Sequence, residues 1–306
     1  MKVSSLPAFL AAPILLLAVP IVNGFSTVVY GPQSRELLLL VSKISAEKGI
    51  TTSCICAPGT EEGCRRLMYG SDYANAGIDV EGNAKPISDS EDMGAALGDA
   101  TSLVLVGNDN PVEASTLETF LKYSSEKLEK IILISKMGVK GGGGGFFGGG
   151  ANKAVLQSEE GLAKLAKDKN LDFSIIRAGI TKGGGPGEVD EDGDAIQPFG
   201  LDKTYYNTII DVVEYKVTLA HDKFSLGADT TSVVQGDPHS MPNMMTQMGT
   251  KTSFDPSPTD TNRIVAASAA VAALDMGPLE ISVGTAEGKA VPTSEEWKEL
   301  LEPLQH

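Results

Sequence analysis

Apolar and polar positions along the chain switch repeatedly between a period near two and a period near 3.6. Thr27–Tyr30 is a short β-rich run, and Gly31-Pro32 marks a turn after it. Glu36–Lys48 is leucine-rich at helical spacing, and Gly49 stops it. Thr51–Cys56 reads as a second strand, ended by Pro58-Gly59. Glu91–Leu97 predicts a short helix. Ser102–Val106 and Ile131–Ser135 are continuous apolar runs of the kind buried on both faces. Between them, Leu117, Phe120, Leu121 and Leu128 recur at helical spacing through residues 112–130. Residues 159–169 predict a helix with Leu162, Leu165 and Ala166 on one face, and Phe173–Ile176 a further strand. Strands alternating with helices at this pitch predict an α/β fold, a doubly wound parallel sheet. The right-handed crossover rule puts Val28–Tyr30 at its centre with Ser102–Val106 beside it.

Two glycine-rich segments interrupt this pattern. Residues 141–150 hold eight glycines around Phe146-Phe147, and residues 183–194 turn from glycine-rich to acidic. So much glycine leaves few side chains to pack, so both read as mobile loops. Beyond them, Tyr205, Tyr206, Ile209 and Ile210 suggest a helix and Asp255–Pro258 a loop. Arg263–Leu274 is an alanine-rich helix and Ile281–Val283 a short strand. Thr293 and Glu296 form a capping box that opens a last helix around Trp297.

Composition adds boundaries rather than a fold. Apolar content of 42% and charged content of 21% suit a globular chain with a sizeable core. The formal net charge of -15 argues against nucleic acid or an anionic membrane as partner, because both would repel it. Three cysteines, Cys54, Cys56 and Cys64, are too few for a tetrahedral zinc site and odd in number for a disulfide framework. Cys54 and Cys56 are two apart in a strand, so both point to one face and read as buried structural thiols. His239, Met241, Met244, Met245 and Met248 offer soft donors, but methionines beside a loop more often pack or coat a channel than ligate copper.

Residues 1–24 read as a signal peptide. Lys2 supplies the positive n-region, Phe9 to Val22 is uncharged and apolar, and Val22-Asn23-Gly24 precedes a cut at Phe25. The stretch is short for a membrane span and is broken by Pro13 and Pro20. Residues 25–306 are then one domain. A phenylalanine just after the cut resembles the bipartite plastid presequences of diatoms and related algae, which implies the secretory route and then a plastid. The alternatives are the lumen of the endoplasmic reticulum or secretion.

Four segments in order resemble the atypical short-chain dehydrogenase/reductase proteins of the NAD(P)-binding, NmrA-like branch. They are Val28-Val29-Tyr30-Gly31, then Ile131–Ser135 with Gly138-Val139, then Leu171–Gly179, and finally Asn262–Asp275 with Ile281–Gly284. The third, reading LDFSIIRAG, is similar to the family's LDYTIIRPG strand. The resemblance implies a Rossmann-type sheet with a small C-terminal substrate-side segment and a bound nicotinamide dinucleotide. It implies a reductase or isomerase of a small molecule. The alternative is a non-catalytic nucleotide-binding redox sensor or scaffold.

The phosphate loop departs from the family's GxxGxxG. Gly31 keeps the tight turn, but Ser34 and Leu37 stand where the second and third glycines belong. Backbone N–H groups of the helix start still offer a phosphate site, so Gly31, Gln33, Ser34 and Arg35 are cofactor-binding candidates, with Ala57, Ser135 and Arg177 along the same edge. Ser135 sits where the superfamily's catalytic serine stands, and Lys153 is a plausible lysine of Tyr-x-x-x-Lys. The residue four before it is Gly149, so the phenolic acid is missing. Strand 2 ends at Cys56-Ala57-Pro58 without the carboxylate that selects the ribose 2′-hydroxyl, and Arg35, Arg65 and Arg66 are near. NADP(H) is therefore expected over NAD(H).

Overall fold

A computed structural model describes residues 25–32, 35–70, 82–140, 149–185, 200–202, 231–235, 260–285 and 291–305. The first half is a regular alternation: β1 (Ser26–Tyr30), α1 (Arg35–Glu47), β2 (Thr51–Ile55), α2 (Glu61–Tyr69), β3 (Lys85–Ile87), α3 (Ser90–Asp99), β4 (Ser102–Val106), α4 (Ala114–Tyr123), β5 (Lys130–Lys136), α5 (Gly149–Asp168) and β6 (Asp172–Ala178). There follow β7 (Ile180–Lys182), β8 (Thr231–Gln235), β9 (Asp260–Asn262), α6 (Arg263–Ala272), β10 (Glu280–Thr285) and α7 (Ser294–Leu301).

The main sheet has the order β3-β2-β1-β4-β5-β6-β10-β8. Every neighbouring pair is parallel except β10 with β8, which is antiparallel and lies at the edge. β1 pairs with β2 on one side and β4 on the other, Val29 opposite Cys54 and Val104. The strand order reverses there, which is the switch point of a doubly wound sheet. β6 and β10 pair directly, Ile281 opposite Ile176, so the chain on either side of residue 180 shares one sheet.

Both faces are covered, as the continuous apolar strands require. On one face every residue of α1 from Leu37 to Ala46 is buried, because the helix is wedged between the sheet and α6. Small residues on α6, among them Ala266, Ala267 and Ala270, let the two axes approach. Trp297 of α7 is wholly buried at the rim of this layer and donates from Nε1 to Ser268 Oγ at 2.8 Å. On the other face Leu103, Leu105, Ile131 and Leu133 pack under Leu117, Phe120 and Leu162. Burying each such side chain is worth about 1.5–3 kcal/mol.

Among the described residues the predicted strands and helices are present, with shifted ends. The fifth helix begins at Gly149, not near 159, so it absorbs the last glycines of the first glycine-rich segment. The capping box at Thr293 and Glu296 is formed in both directions. β3 escaped the sequence reading because it has three residues and contains Pro86, which an edge strand tolerates. α2 escaped because its apolar stripe is short, Cys64, Leu67 and Met68, within an otherwise polar sequence that contains Gly63. β7 and β9 escaped because each has only three residues, and β8 was not read either. The suggested helix around Tyr205 and Tyr206, the loop at 255–258, the methionine cluster and residues 1–24 lie outside the described residues.

Candidate nucleotide site at the carboxyl edge of the sheet

The carboxyl ends of β1 and β2 open onto a cavity of about 430 Å³. The turn after β1 contributes Tyr30, Gly31, Pro32, Arg35 and Leu38, and the turn after β2 contributes Ile55, Cys56, Ala57, Thr60 and Cys64. Gly31, Arg35 and Ala57, three of the residues nominated from sequence, therefore meet in one cavity. Gln33 and Ser34 lie outside the described residues.

Gly31 is required by its surroundings. A Cβ there would stand 3.0 Å from Val106 Cβ and 3.1 Å from the Val106 carbonyl oxygen. Any side chain would lift the turn away from β4. Arg35 opens α1 and reaches across to α2, its Nη2 only 3.4 Å from the place a Gly63 Cβ would occupy. The cavity wall carries no carboxylate among the described residues. Glu61 and Glu62, the two acids that open α2, have other partners. Glu61 accepts from the Ser88 hydroxyl, and Glu62 pairs with Arg66 one turn on. Burial pushes the Tyr30 phenol up, and its ring meets Phe120 edge-on at 5.1 Å.

The cysteines share the α1 side of the sheet, as their spacing predicts. Cys54 and Cys64 are buried, whereas Cys56 is only half-buried and faces the cavity. Burial pushes the Cys54 thiol up to about 12. Cys56 Sγ donates to the Ile87 carbonyl oxygen at 3.5 Å, and the influence of the two thiols on each other raises that of Cys56 and lowers that of Cys64.

A second cluster lies under the carboxyl ends of β5 and β6. Ser135 and Arg177 are paired across the two strands and are wholly buried. Between them sits Glu159, a buried residue of α5. Ser135 Oγ donates to Glu159 Oε1 at 2.6 Å. Arg177 grips the same carboxylate with two bonds, Nε to Oε1 at 3.0 Å and Nη2 to Oε2 at 2.6 Å. Its Nη1 lies 2.8 Å from Glu280 Oε1 as an ion pair without hydrogen-bond alignment. Lys140 completes the set on Glu280. Burial alone would favour loss of the Arg177 proton, but Glu159 and Glu280 outweigh it and hold the guanidinium charged. Burial likewise pushes Glu280 up, and the Lys140 hydrogen bond and the Arg177 charge more than reverse it.

The sequence-nominated Ser135 and Arg177 are thus brought together, but by Glu159, which sequence reasoning missed. The signal was there: Val155, Glu159, Leu162 and Ala166 form a buried stripe at helical spacing, and a carboxylate on such a stripe needs a partner. Lys153 is exposed on α5, and no hydrogen bond or ion pair joins it to Ser135 among the described residues. Asn108, also unnominated, is buried just after β4 and donates from Nδ2 to Thr181 Oγ1 at 3.4 Å. Among the described residues no acidic, histidine or cysteine group has the arrangement to hold a metal ion, and no helix is long and apolar enough to cross a membrane.

The strand order and the switch point decide the architecture. This is a Rossmann-type α/β sheet. No protein-family model matches the chain, and no curated protein does. Among solved structures the chain is similar to a short-chain dehydrogenase/reductase from Veillonella parvula in complex with NADP, at 12% identity and TM-score 0.43, covering 85% of this chain and 94% of that one. It is also similar to a yeast methylglyoxal/isovaleraldehyde reductase complexed with NADPH, at 8% identity and TM-score 0.44, covering 82% of this chain and 72% of that one. A UDP-N-acetylglucosamine 4-epimerase from Bacillus cereus aligns at 10% identity and TM-score 0.40, covering 90% of this chain and 84% of that one.

Proposed function

We propose that this chain binds NADP(H) at the carboxyl edge of its sheet, as a protein of the short-chain dehydrogenase/reductase type. The observation that carries the reading is Arg35 spanning a carboxylate-free cavity at the ends of β1 and β2. That cavity is where a Rossmann sheet takes the adenosine half of a dinucleotide. An acid at the end of β2 would repel a 2′-phosphate, and Glu61 and Glu62, which follow β2, are engaged by Ser88 and Arg66. A guanidinium offers the phosphate a two-pronged donor. Gly31 lets the backbone stay close to β4, and Gly31, Arg35 and Ala57 would hold the dinucleotide in this cavity. Bound NADP(H) would supply a hydride donor or acceptor. Gly31, Arg35 and Ala57 would bind and orient it at the carboxyl edge of the sheet.

The test is a fluorescence titration of NADPH and NADH on the purified protein and on Arg35→Ala. NADPH is expected to bind more tightly, by about tenfold or more, and the substitution to erase most of that difference. Equal affinity for the two cofactors, or a difference that survives the substitution, defeats the assignment.

A second reading, a non-catalytic nucleotide-binding sensor or scaffold, is favoured by the Ser135 hydroxyl. Its proton is committed to Glu159 in a buried ionic cluster, so it is not offered to a substrate. Turnover of NADPH with any carbonyl substrate would remove this reading. We further infer that residues 1–24 are a signal peptide and that the protein reaches a plastid. The apolar run between Lys2 and Phe25 and the phenylalanine at the cut support this. Mass spectrometry of the native amino terminus tests the first point, and the location of a fluorescent fusion tests the second.

A further inference from the structure

We propose that Gly63 is the specificity-determining position of the nucleotide cavity. It seats the Arg35 guanidinium against α2, and a carboxylate placed there would turn the preference from a dinucleotide with a ribose 2′-phosphate to one without. The proposal deepens the NADP(H) reading above and rests on it.

A glycine in the first turn of α2 needs a reason. Glycine is among the weakest helix formers, because its backbone has the most freedom to lose. α2 has nine residues, and Gly63 follows Glu61 and Glu62 at its start. Backbone geometry does not require it, since Gly63 is helical and is not among the glycines with positive φ. Close backbone packing does not require it either. Outside its own helical turn, a Cβ at Gly63 would meet one atom within 4 Å among the described residues, Arg35 Nη2 at 3.4 Å. Gly31 differs, because there the added carbon would stand 3.1 Å from a β4 carbonyl oxygen. The neighbour that the missing side chain of Gly63 accommodates is the guanidinium.

That contact lies in the wall of the cavity. Arg35 lines it together with Thr60 and Cys64, which bracket the first turn of α2. Arg35 and Gly63 are both half-buried. The contact restricts a long side chain with many rotamers, so less freedom is left to lose when a ligand binds. It also sets a cation beside the positive end of the helix dipole, an arrangement that an anion relieves. The two acids of that turn are engaged by Ser88 and Arg66.

A side chain at position 63 therefore acts through Arg35. A methyl group at 3.4 Å is in ordinary van der Waals contact, so Gly63→Ala leaves the guanidinium in place. Gly63→Asp carries its carboxylate on that same carbon, within ion-pair reach of Arg35. The pair takes up donors that a 2′-phosphate would use, and the added charge repels the phosphate. A ribose 2′-hydroxyl is not repelled and can donate to a carboxylate. The helix start accepts another acid, because negative charge is favourable there.

The experiment titrates NADPH and NADH on the full chain, on Gly63→Ala, on Gly63→Asp and on Gly63→Asp combined with Arg35→Ala. Gly63→Glu, a second carboxylate on a stronger helix former, is measured beside them, and thermal melts show which variants fold. Gly63→Ala should keep the native preference within about twofold. The carboxylate variants should lose NADPH affinity by about tenfold or more, with NADH affinity unchanged within about twofold. Without Arg35 the aspartate should cost less NADPH affinity than it does in its presence, which is the coupling expected of groups in contact. Carboxylate variants that bind NADPH as tightly as the native chain overturn the proposal and leave the NADP(H) reading standing. So do variants that lose both cofactors alike, a preference abolished by the methyl group alone, or a fall of equal size with and without Arg35. A native chain that binds the two cofactors equally, or neither, overturns the NADP(H) reading and this proposal with it.

Discussion

The Ser135 hydroxyl donates a hydrogen bond to Glu159 at 2.6 Å, and the same carboxylate accepts two from the Nε and Nη2 edge of the Arg177 guanidinium. A serine used in this way is a structural donor to a buried carboxylate. Hydrogen bonds to charged groups are worth about 1.5–3 kcal/mol. Ser135→Ala should therefore lower the unfolding free energy by about 2 kcal/mol and leave NADPH affinity unchanged. Urea unfolding beside a cofactor titration reads both. A loss of affinity in a variant of undiminished stability would return Ser135 to the cofactor.

Glu159 carries more. Its removal leaves Arg177 buried with Glu280 as its remaining acid, in an ion pair that lacks hydrogen-bond alignment. Breaking a buried pair by deleting one partner costs about 3–5 kcal/mol. Glu159→Ala should thus be among the most damaging single changes on α5. Replacing the pair together, as Glu159→Leu with Arg177→Met, should recover much of the loss, because the burial cost of both charges is removed. Thermal melts of the single and double variants settle it: a double variant no more stable than Glu159→Ala refutes the account.

Acid should weaken the same cluster through Glu280. Its folded-state value is held below the ordinary glutamate value despite burial, chiefly by Lys140 and Arg177. A depressed carboxylate stabilises the fold fully above its unfolded value, about 4.3, and that stability drains as pH falls through the depressed value. Denaturant midpoints measured from about pH 6 down to about pH 3 should therefore fall more steeply for the native chain than for Glu280→Gln. Parallel curves would assign the acid sensitivity to other carboxylates.

Gly31→Ala tests the turn. The added carbon would stand 3.0 Å from Val106 Cβ and 3.1 Å from a carbonyl oxygen that has no freedom to move within β4. Overpacking of this kind costs about 1–3 kcal/mol, and it displaces the turn that faces the cavity. Stability and NADPH affinity should both drop. A variant as stable as the native chain would mean that β1 and β4 have slack there.

Trp297 is the only tryptophan and is wholly buried, so its emission reports the α6–α7 layer alone. Ser268→Ala would orphan its indole N–H, at a cost of about 1–3 kcal/mol. The denaturant midpoint followed by tryptophan emission should shift accordingly. If it does not, water reaches the indole.

Legibility followed the physics of each element. Ser102–Val106 and the Thr293 capping box could be read because one is a run buried on both faces and the other is a local side-chain to backbone exchange. β3 has three residues and a proline, and its place is set by pairing with β2, which no local pattern encodes. In the site, Gly31, Arg35 and Ala57 were legible because they flank turns that follow strands. Glu159 was legible only as a carboxylate on a buried stripe, and its partners were not, because they are 24 and 18 residues away and meet it only through strand register.

The sequence by itself determined the alternation of strands and helices, the parallel sheet and the cap signals, since these depend on neighbours within a few positions. It also determined that strand 2 ends without a carboxylate. Only the tertiary structure decided that Glu61 and Glu62 are engaged by Ser88 and Arg66, that Arg35 reaches from α1 to α2, that the Cys56 thiol meets the Ile87 carbonyl and that Ser135 is bound to a buried ion pair. Each of those is a contact between elements, and its existence depends on how helices dock on the sheet and on which residues the register sets side by side.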